Sequence, residues 1–227
     1  MKRGKTDKQC IPEFYDFTSR GYLTTVRAGS ILFDDAINNH EYGLNRDIHD
    51  NMIVGQYEGY EFPIEFKQDK EYGSRLRDVL DTGYPPAYLI SDRFRDLLTE
   101  YNVTGWKTYP IRLYDKKGNL INGYNGLSFT GRGGDFDAWP EYNEDIPWYE
   151  KDRLTKKGIY NINNWDGSDI FMIRGAVLMA ERVMKLIKKN KIDAVYFEKL
   201  SDKYDIIGTE EYMQKHRLCE YNEPVIR

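Results

Sequence analysis

Cysteine and histidine are almost absent from this sequence, with two of the former and three of the latter in 227 residues. Cys10 and Cys219 stand near opposite ends, too few for a disulfide framework and wrongly spaced for a zinc site. A reducing compartment is expected. Long apolar runs are lacking as well. Nothing approaches the roughly 18 consecutive apolar residues of a membrane span, and no apolar stretch of a signal peptide follows the opening MKRGKTDKQC. The expectation is a cytoplasmic protein with no membrane partner. Nor is there an excess of positive charge: 33 basic residues against 37 acidic ones leave a formal net charge of -4. A general nucleic-acid binder needs a basic surface to neutralise phosphates, so nucleic acid is not an expected partner.

What is present is the composition of a folded chain. Hydrophobic residues make up 40%, aromatics 15% and charged residues 31%, and the mean hydropathy of -0.73 indicates a well-solvated surface. The length allows one large domain or two small ones. Tyrosine is the outlier at 19 residues. Its apolar ring and polar hydroxyl suit cores and interfaces alike, so a homodimer is as compatible with this abundance as a foreign partner.

Residues 1–20 mix charges around Pro12 without periodicity and read as an irregular start leading to the short apolar piece Tyr22–Val26. Asp34–Asp50 is rich in Asn and Asp, as loops are. The alternation YEGYEFPIEF that follows reads as strand, and Leu76–Leu80 as a brief helical or turn element ended by Gly83, Pro85 and Pro86. Ala87–Ile90 is an apolar strand. Ser91 then caps a helix whose Phe94, Leu97, Leu98 and Tyr101 fall at i, i+3, i+4, i+7 spacing. Gly105 ends the turn, Trp106–Tyr114 alternates as strand, and Lys116-Lys117-Gly118-Asn119 turns the chain into Leu120–Phe129. A similar unit recurs: strand Ile170–Ile173, a helix with Ala176, Ala180, Val183, Met184 and Ile187 on one face, and strand Ala194–Leu200. Matching Leu89-Ile90-Ser91 to Met172-Ile173-Arg174 gives an offset of 83 that grows to 89 by Ile192, so the second helix is expected to be about six residues longer. The expected fold class is α+β, a mixed or antiparallel sheet with two strand-helix-strand units and an irregular N-terminal region. Its division is 1–86 and 87–227, or one continuous domain.

The motifs of known chemistries are incomplete. Gly131-Arg132-Gly133-Gly134 lacks the following Lys-Ser or Lys-Thr and the helix of a phosphate loop. Gly126–Gly131 has its second glycine one residue late for a nucleophile elbow. His49-Asp50, with Asp47 and His40, has the residue types of a metal-assisted phosphohydrolase, but three histidines leave few ligands and a solvated turn is the better account. Glu65-Phe66-Lys67 resembles half of a magnesium nuclease site, with Asp50 or Glu61 as a further ligand and Lys67 orienting water; alternating charges on a half-exposed strand are the plainer account. His216 and Cys219, at i, i+3, lack the third orienting group of a catalytic pair. The Lys185–Lys191 cluster suits a solvated helix end. No catalytic residue, metal or cofactor is therefore expected.

Residues 87–120, AYLISDRFRDLLTEYNVTGWKTYPIRLYDKKGNL, resemble the signature of a bacterial family identified as immunity proteins of polymorphic toxin systems, the Imm-eleven-like group. Leu89, Ile90, Ser91, Asp92, Phe94, Leu97, Leu98, Gly105 and Trp106 match its pattern of apolar strand, Ser-Asp turn, amphipathic helix, Gly plus aromatic, and strand. Leu80-Asp81-Thr82-Gly83 and the second unit, 169–201, look like further parts of that architecture, although Arg174-Gly175 stands where the capping Ser-Asp would be. The resemblance implies a non-enzymatic protein that neutralises a cognate toxin domain, and it nominates no catalytic site.

Such a protein occludes its partner with aromatic anchors ringed by charges that speed encounter. The stretch Asp135–Glu150, DFDAWPEYNEDIPWYE, holds six acids and no bases. Asp135, Phe136, Asp137, Trp139, Glu141, Tyr142, Glu144, Asp145, Trp148 and Tyr149 are the candidate partner-binding residues. The alternatives are a metal-dependent hydrolase or nuclease on Asp50, Glu65 and Lys67, and a structural protein with a non-toxin partner.

Overall fold

The computed structural model describes residues 13–30, 32–33, 46–139, 141–142 and 154–208. In chain order its elements are β1 (Phe14–Ser19), β2 (Ala28–Gly29), α1 (Arg46–Val54), β3 (Ile64–Gln68), β4 (Val79–Asp81), β5 (Tyr88–Ser91), α2 (Asp92–Glu100), β6 (Trp106–Tyr114), β7 (Leu120–Ile121) and β8 (Tyr124–Phe129). There follow β9 (Gly131–Arg132), β10 (Asp135–Ala138), β11 (Glu141–Tyr142), β12 (Leu154–Lys156), β13 (Gly158–Asn161), β14 (Ile170–Ile173), β15 (Ala176–Ala180), α3 (Glu181–Lys189), β16 (Val195–Lys199), α4 (Leu200–Lys203) and β17 (Tyr204–Ile207). The class is α+β with mixed sheets. No described helix is long and apolar enough to cross a membrane.

The two main sheets contain the same four-stranded motif. One runs β6-β8-β5-β4 and the other β16-β1-β15-β14. Strand–helix–strand positions correspond at a constant spacing of 89 residues: Ser91 to Ala180 at the helix starts, Tyr101 to Asn190 at their ends, Val103 to Ile192 in the core. The backbone follows the same rule. Asn102 (φ 48) and Lys191 (φ 52) match, as do Gly105 (φ 85) and Ala194 (φ 61). The fourth strand comes from different places in the chain, β8 in the first copy and the N-terminal β1 in the second. Phe14 pairs with Ala180 as Tyr124 pairs with Ser91, and Ser19 pairs with Val195 as Phe129 pairs with Trp106. The loop bonds agree: Arg20 N–H donates to Ala194 O at 2.7 Å, as Thr130 N–H does to Gly105 O at 2.9 Å.

The copies also exchange contacts reciprocally, as the subunits of a two-fold dimer do. Arg93 donates to Asp78 at 2.6 Å and to the Asn190 and Lys191 carbonyls beyond α3. Arg182 donates to Asp169 and, at 3.4 Å, to the Tyr101 and Asn102 carbonyls beyond α2. Asp193 N–H donates to Asp78 at 3.1 Å, as Thr104 N–H does to Asp169 at 2.8 Å.

These pairings correct the expected alignment of the repeat. Both helices have nine residues, and the counterpart of Tyr88–Ser91 is β15, not β14. Residues 176–180 are strand because Arg174 (φ 46) and Gly175 (φ 86) make a two-residue hairpin turn that pairs Ile173 with Ala176. Val177, Leu178, Met179 and Ala180 are all buried; with no polar alternation, the spacing of Ala176, Ala180 and Val183 imitates a helix face.

Other expectations change too. The start expected to be irregular contains β1, a central strand, and the expected Asn-rich loop contains part of α1, where Met52 and Ile53 are buried. Of the region read as strand only its end, Ile64–Phe66, pairs, as the start of β3, and Val79–Asp81 is strand rather than helix or turn. Gly123 (φ 86) splits Leu120–Phe129 into β7 and β8.

Alternation along β1 sends Phe17 inward, where its ring meets Tyr88 of the first copy at 5.5 Å. One buried cluster runs from Phe17 to Ile192 and so takes residues from both sides of position 86. Phe14 and Asp16 take the outer face. There the sheet β10-β13-β17 covers Phe14, Phe171 and Leu178, and closes a second core with Phe136, Tyr160 and Tyr204.

Candidate functional site

β10 carries the start of the acidic aromatic stretch. The glycines before it let backbone pass backbone: a Cβ on Gly134 would lie 1.6 Å from Asn161 O, and one on Gly131 2.2 Å from Ile170 O. This close crossing, rather than phosphate binding, is the use of the glycine-rich run. Phe136 points into the second core, 4% exposed, so it is a packing residue and not an exposed anchor. Asp135 and Asp137 point outward. Trp139 is 53% exposed, stacked on Phe136 at 4.8 Å and edge-on to Tyr204 at 6.3 Å. The Arg174 guanidinium lies 5.7 Å from the Trp139 ring and 3.0 Å from the Asp135 carboxylate. Glu141 and Tyr142 form β11, which pairs with β12. Glu144, Asp145, Trp148 and Tyr149 lie outside the described residues.

Beside Trp139 is a pocket of about 210 Å³. Phe136, Trp139 and Tyr204 line one side, and Asp16 and Glu198, directly opposite each other on β1 and β16, line another. Burial holds the Asp16 carboxyl above its usual range, against the lowering effect of Lys203, and the Glu198 charge raises it further. The Lys203 ammonium, bonded to Glu198, holds that carboxyl below its usual range. Asp16, Glu198, Tyr204 and Arg174 escaped the sequence reading. The signal for Asp16 was present in Phe14-Tyr15-Asp16-Phe17, a single acid inside an aromatic strand.

The residues of the hydrolase alternative are not brought together as a metal cage. Glu61, Glu65 and Lys67 line a cleft of about 730 Å³, but Asp50 does not line it. Asp50 is paired with His49 at 3.1 Å, and Glu65 faces Arg112 at 3.9 Å. His49 is a packing residue, its ring edge-on to Phe33 at 5.5 Å and its Nε2 3.2 Å from Tyr84 O. Among the described residues, no three His, Cys, Asp or Glu side chains are grouped to hold a metal ion. The side chains of Asp47, His40, His216 and Cys219 lie outside the description. Lys185 pairs with Glu181 at 3.3 Å and Lys188 lies over the Phe197 ring, so part of the lysine cluster serves its own surroundings.

Every described residue of the signature has structural work. Ser91 Oγ accepts from Phe94 N–H at 3.2 Å and donates to Asp78 at 2.8 Å. Asp92 accepts from Arg95 at 2.6 Å and Asn125 at 2.8 Å. Leu89, Ile90, Phe94, Leu97 and Leu98 are core, Gly105 supplies a positive φ, and Trp106 donates its indole N–H to Val103 O at 2.8 Å. No protein-family model matches the chain, and no curated protein matches it either.

Proposed function

We propose that this chain is a cytoplasmic immunity protein that binds and neutralises a cognate toxin domain without catalysis. The observation that carries the reading is Trp139. A large ring, half exposed beside a small pocket, with Asp137 pointing outward and the Asp135–Arg174 pair at its edge, has the make-up of an interface anchor with a charged rim. The resemblance of residues 87–120 supplies the kind of partner. The signature builds the scaffold, and the face that meets the toxin lies outside it, as expected where the partner's shape dictates the surface.

The test is calorimetric titration of the full chain with the C-terminal domain of the protein encoded beside it. Binding with a Kd of about 10 nM or tighter is expected, the range of specific inhibitory complexes. Failure to bind sinks the toxin assignment. A hydrolase reading keeps one point in its favour, the cleft holding Glu61, Glu65 and Lys67; unchanged metal binding after Glu65→Ala would remove it.

A further inference from the structure

The duplicated fold supplies an internal control for the pocket beside Trp139. The counterparts of Asp16 and Glu198 in the first copy are Gly126 and Tyr109, paired in the same register. There the Tyr109 ring lies across Gly126, where an added Cβ would sit 2.0 Å from its Cζ, and Tyr57 and Phe62 pack on it. That outer face is filled and apolar. In the second copy the same two positions hold carboxylates, and the covering sheet leaves a pocket against them.

Like charges directly opposite each other destabilise a sheet. Folding alone gives no reason to place them on a face that its twin fills with a tyrosine. Their neutralisation is incomplete. Lys203 is bonded to Glu198, and Lys199, also on the pocket wall, pairs with Glu13 at 2.8 Å. Asp16 has the Phe17 N–H but no ion-pair partner among the described residues.

A carboxylate with no ion-pair partner of its own among the described residues, sharing the Lys203 charge with Glu198, therefore lies beside three aromatic rings. Aromatic faces attract cations, and a long basic side chain has an apolar stem to lay against them. We propose that the pocket receives an arginine or lysine side chain of the partner protein, its stem against Phe136, Trp139 and Tyr204 and its charged head on Asp16. The inference rests on the reading of this face as partner-binding and adds the chemistry of the group that docks there.

The experiment titrates the full chain with N-acetyl-arginine amide, and with N-acetyl-citrulline amide as the uncharged isostere. It is followed at the Trp139 indole resonance, assigned with Trp139→Phe. A saturable shift is expected with the arginine compound, weaker by about tenfold with citrulline and lost in Asp16→Asn. Equal responses to both compounds, no response, or full retention in Asp16→Asn would overturn the proposal. A toxin domain that binds while the arginine compound does not would leave the immunity reading standing without the basic anchor. The reverse result would keep the pocket and remove the toxin.

Discussion

Arg93 and Arg182 stand 89 residues apart, and each reaches from its own helix to carbonyls just beyond the end of the other's. Each also holds a buried aspartate of its own copy, Asp78 or Asp169. The same residue type thus makes the same bonds twice in opposite directions, which ties the two copies into one body.

The two arginines differ in their own exposure more than in that of the aspartates they hold, whose side chains are 10% and 6% exposed. The Arg182 side chain is 26% exposed, whereas the Arg93 side chain is 55% exposed. Removing one partner of a buried pair strands a charge. Arg182→Met should cost about 3 kcal/mol of stability. Arg93→Met, on a more solvated pair, should cost about 1 kcal/mol. Urea unfolding midpoints measure both, and equal losses would contradict the assignment.

The helix starts offer a gain. Ser91 (φ -66, ψ 154) caps α2, while Ala180 (φ -62, ψ 148) has the same backbone at the start of α3 and no side-chain acceptor. Ala180→Ser should let a hydroxyl accept from the Val183 N–H as Ser91 does from Phe94. A stabilisation of about 1 kcal/mol is expected, read as a higher urea midpoint. Ser91→Ala should lose at least as much, since it also deprives Asp78 of a donor.

How far the chain reveals its fold before folding depends on where each signal sits. Residues 87–114 were legible because strand, cap, helix face and glycine follow one another locally, with Ser91, Phe94, Leu97, Leu98 and Gly105 each in its expected place. The second copy was read out of register because a strand buried on both faces and a helix stripe share the spacing of Ala176 and Ala180. The recurrence of the unit shows in the sequence, but its fourth strand in the second copy, β1, does not. That strand is 110 residues away from the place its twin β8 occupies, and no reading by local period can find a partner across that distance. The site fared similarly. Trp139 and its acids were visible as a composition, whereas Asp16 and Glu198 meet only through strand pairing.

The buried tyrosines give the fold an alkaline limit. Burial raises Tyr88 and Tyr124 to about 12 from an ordinary 10.0, and pushes the fully enclosed Tyr109 up as well. Above pH 10 the unfolded chain loses these protons before the folded one does. The stability they confer is therefore full below pH 10 and falls as pH rises toward 12. Tyr88, 3% exposed, should account for about 1.4 kcal/mol per pH unit in that window. Urea midpoints should be flat in this respect between about pH 7 and 9 and drop above 10; Tyr88→Phe should flatten the drop.

Asp16 should trade stability for binding. Its folded carboxyl is raised by burial and by Glu198, so its contribution is most favourable below the unfolded value of 3.8 and is lost as pH rises through the raised folded value. At neutral pH the ionised group is a cost to the free protein. Asp16→Asn should then raise stability near pH 7 by about 0.5 kcal/mol, the scale of a like-charged cross-strand pair, read as a higher urea midpoint, while weakening toxin binding. Trp139→Ala should weaken binding by about 2 kcal/mol or more, as loss of an interface anchor does, with a smaller change in stability because half of its ring is already in water. Calorimetry and unfolding on the same samples separate the two quantities. A purely structural pocket predicts that both variants leave affinity alone, whatever they do to stability; a docking pocket predicts that both weaken it, with Asp16→Asn gaining stability as it does so.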